Sequence, residues 1–132
     1  ADITEEMGPM GVLPGSHQGP VYDHYSDKGD WQGFIGEDDA AGLDLGAADY
    51  LKGPAGTVTV HHCRMVHGSK PNTHPTQPRP FLLFAYSAAD CLPIMPYNQK
   101  SDMNGIVVRG RHPEFPDIDP EPCRLPPLRS GP

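Results

Sequence analysis

His67-Gly68-Ser69-Lys70-Pro71-Asn72 closes a β-patterned run, and Arg79 follows twelve residues after the histidine. An imidazole on a rigid strand end can hold a metal ion with little ordering cost, and a guanidinium makes two parallel charge-assisted hydrogen bonds to a carboxylate. One short loop therefore carries a metal-binding group at one end and a carboxylate-binding group at the other. That arrangement suits an enzyme that chelates a keto acid through iron and grips the acid's far carboxylate with arginine. Ser69 offers a hydroxyl to the same carboxylate, Gly68 allows close backbone approach, and the Asn72 amide can close the turn. Alone, a strand-end histidine reads as a hydrogen-bonded structural residue and a strand-opening arginine as a surface residue. Their pairing is what turns the reading toward chemistry.

An iron site of this kind takes a second histidine and a carboxylate, as His-x-Asp or His-x-Glu on an earlier strand. Such a triplet is not expected anywhere in this chain. The expectation is half of an enzyme, with tight iron(II) binding not expected of this chain alone. His61, Cys63 and His67 have the look of a soft metal site, but zinc needs four ligands and a second pair has no source. His24, His74 and His112 read as structural or exposed, and His17 as a residue that could line a cavity. Neither a glycine-rich phosphate loop nor a serine nucleophile elbow is present.

The elements that must position these residues are strands. Met10 to Leu13 is a short apolar segment ending in the turn Pro14-Gly15-Ser16-His17. From Gln18 to Gly46 glycine, aspartate and scattered aromatics predict a long loop without helix, whose Tyr22, Tyr25, Trp31 and Phe34 either cover a pocket or anchor the loop. Ala48 to Lys52 predicts a brief strand. The run Thr57 to His67 is the strongest strand pattern, with a bulge near Cys63 as the expected break in register. Phe81 to Tyr86 is continuously apolar, as in a strand buried on both faces. Beyond Asp90 proline dominates, only Gly105 to Val108 hints at a strand, and an extended segment packed on a neighbour or partly disordered is expected. The predicted fold class is all-β, an incomplete sandwich or barrel. It divides into residues 1–90 and a proline-rich segment, 91–132.

Composition bounds the partners. With Pro 17, Gly 15 and 36% hydrophobic residues, the core the chain can bury alone is thin. Its first residue is Ala1, and the following residues resemble no secretory leader, so an upstream segment is expected to be missing. The net charge of −7 leaves no basic face for a phosphate backbone, and no apolar run approaches the length needed to span a bilayer. Three cysteines without CxxC spacing fit reduced thiols in a cytoplasmic protein. Unpaired strand edges predict a homodimer or a missing N-terminal half as the covering partner.

Gly8-Pro9-Met10-Gly11-Val12-Leu13-Pro14-Gly15-Ser16-His17, then Gly56-Thr57-Val58 leading to His62, then Val66-His67-Gly68-Ser69 with Asn72 and Arg79, resemble the C-terminal half of the phytanoyl-CoA dioxygenase family. The resemblance is colinear over residues 1–90. It implies a double-stranded β-helix, a jelly roll of the cupin type, and an iron(II)- and 2-oxoglutarate-dependent oxygenase acting on a small molecule. It also implies that His67 is the distal iron ligand and that Ser69 and Arg79 bind 2-oxoglutarate. The implied reaction couples decarboxylation of 2-oxoglutarate to succinate with hydroxylation of an unactivated carbon. The family's His-x-Asp pair lies upstream of the Pro-Gly-Ser-His turn and is absent from this chain. The competing expectation is a catalytically silent cupin-like module with a binding or structural role.

Overall fold

The computed structural model describes residues 1–92, 101–118 and 123–127. Its centre is a three-stranded antiparallel sheet in the order β2-β1-β3, with β1 at Met10–Val12, β2 at Asp49–Tyr50 and β3 at His67–Ser69. β1 is the middle strand, so Gly11 faces Tyr50 on one side and Gly68 on the other. Glycine is required there by crowding: a Cβ on Gly11 would stand 2.9 Å from the Tyr50 ring. The apolar segment before the Pro-Gly-Ser-His turn and the brief strand near residue 50 thus form as their patterns predict.

The N-terminal segment locks onto this sheet. Ile3 pairs with Gly53, and the 3-10 turn Glu5–Met7 presents the Glu6 carbonyl to the backbone N–H groups of Thr73 and His74, at 2.8 and 3.1 Å. Gly8 follows with φ +64°, and a Cβ there would run into the carbonyl oxygens of Lys70 and Pro71. Met7 and Pro9 are the largest fully buried side chains, so the small core sits where the N-terminal turn meets the loop after β3.

Two expected strands do not form. Residues 57–66 are irregular, with Val58 and Val60 83% and 93% exposed. Thr57 turns back on Pro54 through both its N–H and its hydroxyl, and the bulge anticipated near Cys63 is a full turn in which Met65 N–H donates to the His62 carbonyl. Only the last residue of the predicted run, His67, enters a strand. Residues 81–86 make no backbone hydrogen bond to any described residue, and Phe81, Leu82, Leu83, Phe84 and Tyr86 are all exposed. A strand exists only through its ladder, and an apolar pattern without a neighbour stays extended and open.

The long loop departs from prediction in a 3-10 turn at its end, Leu45–Ala47, and in a single helical turn, α1, at Glu37–Ala41. Three acidic residues in its first turn favour it electrostatically. Elsewhere the loop folds on itself: Tyr25 pairs with Trp31, and their rings meet edge-on at 5.1 Å. These aromatics anchor the loop. Residues 102–105 form a turn where a strand was suggested at Gly105 to Val108. In the proline-rich segment Arg124 reaches back to Asp23 at 3.3 Å and stacks over the Tyr25 ring, while Pro93, Pro96, Pro120, Pro122 and Pro132 lie outside the described residues. Among the described residues no helix is long and apolar enough to cross a membrane.

Candidate functional site

β3 places His67 and Ser69 two residues apart on the same side of the sheet's edge strand, opposite Val12 and Met10. The His67 Nδ1 lies 2.7 Å from the Met65 carbonyl oxygen. A carbonyl carries no proton, so Nδ1 is the N–H, and in the neutral ring the lone pair is at Nε2. This is the tautomer that can bind a cation or accept a proton at Nε2.

Arg79 returns to the same strand. Its Nη2 donates to Ser69 Oγ at 3.0 Å, while the guanidinium carbon stands 5.2 Å from the Phe81 ring centroid. The ten-residue excursion between Ser69 and Arg79 is folded by its own polar side chains. Asn72 Nδ2 donates to the Gln77 carbonyl at 2.8 Å and Asn72 Oδ1 accepts from His74 N–H at 2.9 Å. His74 Nδ1 accepts from the N–H groups of Thr76 and Gln77, at 3.3 and 3.0 Å. Asn72 closes the turn as its position predicts, and His74 proves structural.

His67 and Ser69 line an open cleft of about 220 Å³, with Val12, Leu45 and Tyr50 supplying apolar walls and Lys70 a cationic edge. Lys70 Nζ sits 3.9 Å from the Tyr50 ring centroid and 2.9 Å from Glu5 Oε1, and Lys52 Nζ is 2.9 Å from Glu5 Oε2. The Lys70 and Lys52 hydrogen bonds hold the Glu5 carboxyl below its ordinary value, and Glu5 in turn raises the Lys70 ammonium. Nothing in the sequence pattern pointed to this triad, because its members are separated by up to 65 residues.

Three of the other histidines sit in close histidine ring pairs. The His61 ring lies tilted against His67 with centroids 5.5 Å apart, and His17 lies 5.6 Å from His62 with its own Nδ1 buried and without a hydrogen bond. Among the described residues no group of three or more His, Cys, Asp or Glu is arranged to hold a metal ion. One triplet of the sought spacing does exist downstream, His112-Pro113-Glu114. It lines a separate open cleft with Asp90 and Arg111, and its spacing alone would have flagged it.

A family model described as Phytanoyl-CoA dioxygenase (PhyH) matches residues 1–80. The chain belongs to the phytanoyl-CoA dioxygenase family. The match contains the Pro-Gly-Ser-His turn, the three strands and Arg79, and with them every residue that lines the cleft beside His67. Among curated relatives, a Stutzerimonas stutzeri protein named "Probable alpha-ketoglutarate-dependent hypophosphite dioxygenase" is 41% identical over 129 residues, covering 95% of this chain and 44% of that protein. An L-proline trans-4-hydroxylase from Streptomyces griseoviridis is 31% identical over 109 residues, covering 72% of this chain and 40% of that enzyme. The chain thus spans less than half the length of these curated relatives. No solved structure matches it.

Proposed function

We propose that this chain supplies the cosubstrate-binding end of an iron(II)- and 2-oxoglutarate-dependent dioxygenase that hydroxylates a small molecule. The observation that carries the reading is the Arg79 to Ser69 hydrogen bond of 3.0 Å on the strand that bears His67. A guanidinium and a hydroxyl already in register are a ready carboxylate site, because replacing one short bond by a shared oxyanion needs little rearrangement. Arg79 and Ser69 would take the far carboxylate of 2-oxoglutarate, and His67 Nε2 would serve as one iron ligand. The family membership and the relatives' names, one a dioxygenase and one a hydroxylase, support the oxygenase type.

Iron itself does not find three ligands among the described residues. The described residues do not by themselves make an iron centre; what they make is a carboxylate site beside one free imidazole nitrogen. The remaining ligands would belong to residues that the relatives possess and this chain does not match, or to a second copy of the chain. In this reading the sheet is part of a double-stranded β-helix formed by residues 1–90, with 91–132 an extended segment outside it, in a cytoplasmic protein. The exposed apolar run 81–86 would be covered by the same missing strands or by a homodimer. The absence of a three-ligand group among the described residues also favours a second reading, a catalytically silent cupin-like module that binds a small acid or nothing.

Calorimetric titration with 2-oxoglutarate separates the two. Arg79→Ala is expected to weaken binding on the order of tenfold, about 1.4 kcal/mol, and Arg79→Lys is expected not to restore it because an ammonium cannot pair both oxygens. No binding by the unsubstituted chain, or equal affinity in all three proteins, would favour the silent module.

A further inference from the structure

The peptide group that joins Met65 to Val66 is held on both of its polar sides. Its N–H donates to Ser16 Oγ at 2.8 Å, and its carbonyl accepts from His67 Nδ1 at 2.7 Å. The Ser16 hydroxyl spends its proton on Met65 Sδ, 3.3 Å away, which leaves Oγ lone pairs for the amide. The same two segments are tied on either side of this point, by Leu13 N–H to the Val66 carbonyl at 2.9 Å and by Arg64 Nη2 to the Gly19 carbonyl at 2.7 Å. The turn at Ser16–Gln18 is therefore docked onto the residues that immediately precede His67.

Hydrogen bonds in series through one peptide polarise each other. An amide whose N–H is engaged presents a more basic carbonyl, and here that carbonyl is the partner of the histidine. His67 is exposed, so water competes for Nδ1 and the ring would sample both tautomers without such a partner. We propose that Ser16 is a positioning residue for His67: acting through the Met65–Val66 peptide, it selects the Nδ1–H tautomer and keeps the lone pair at Nε2. The inference deepens the proposed function and rests on it for its purpose, since a free Nε2 matters only if that atom meets a cation or a proton. The tautomer itself exists without any ligand.

Long-range proton–nitrogen correlation spectra of the nitrogen-15-labelled chain report the His67 tautomer directly, at a pH where the ring is neutral. The unsubstituted chain is expected to show a single Nδ1–H form. Ser16→Ala is expected to give a mixture with Nε2–H, and Ser16→Thr, which keeps the hydroxyl, to return the single form. A Ser16 that only anchors its turn would lower thermal stability in Ser16→Ala and leave the tautomer unchanged, which overturns the proposal. A predominant Nε2–H form in the unsubstituted chain, or a mixture in Ser16→Thr, overturns it as well, so the outcome does not depend on whether Ser16→Ala folds. Loss of 2-oxoglutarate binding in Arg79→Ala is a separate readout, so failure of the positioning role and failure of the cosubstrate site are told apart.

Discussion

The contacts that tie Ser69, Asn72 and Arg79 into the loop after His67 were legible because their chemistry is local. All four lie within thirteen residues, and an amide that closes a turn or a guanidinium that meets a nearby hydroxyl needs little help from the rest of the chain. Ser16 and Glu5 were not legible, since each acts on a residue 49 to 65 positions away. Glu5 has a measurable signature. Its carboxyl lies below the ordinary 4.5 because of the hydrogen bond to Lys70 and then that to Lys52, so its contribution to stability is complete above 4.5 and is lost as pH falls through the lower folded value. Lys70, raised above 10.5 chiefly by the same bond, contributes fully below 10.5 and loses that contribution as pH rises through its folded value. Glu5→Gln is therefore expected to flatten the acid limb of urea-unfolding midpoints measured below pH 4.5, and the difference from the unsubstituted chain should shrink in high salt because all three groups are exposed. An unchanged acid limb would mean that the triad does not contribute.

At the scale of elements, the sequence located strands by pattern, and pattern succeeded where a partner strand is present. Met10 to Val12 finds both neighbours, and Asp49–Tyr50 finds one. Thr57 to Val66 and Phe81 to Tyr86 carry stronger β patterns and form none, because periodicity describes which face a strand would bury and says nothing of what lies beside it. The helical turn at Glu37–Ala41 was missed for the opposite reason, being too short for any 3.6-residue period to register. The joint between the N-terminal turn and the loop after β3 rests on one backbone position. Gly8→Ala places a side chain at φ +64° against two carbonyl oxygens, and is expected to cost about 1–3 kcal/mol in urea denaturation. Equal midpoints for the two proteins would show that the joint does not bear on stability.

The whole molecule has a thin core and a broad exposed apolar face. Met7 and Pro9 are the large side chains fully buried among the described residues, while five large side chains between Phe81 and Tyr86 face outward. The chain spans less than half the length of its curated relatives. The site borders this face, since the Arg79 guanidinium stands 5.2 Å from the Phe81 ring, and β3 and the loop to Arg79 are stitched by polar contacts that need no large core. The central claim is that Arg79 and Ser69 receive the far carboxylate of 2-oxoglutarate. The most direct test follows the Arg79 guanidinium signals by nuclear magnetic resonance during titration with 2-oxoglutarate, and in parallel with pyruvate, a keto acid without the far carboxylate. Saturable shifts at Arg79 and Ser69 with 2-oxoglutarate and none with pyruvate are the predicted result; equal responses to both acids, or none to either, would contradict it.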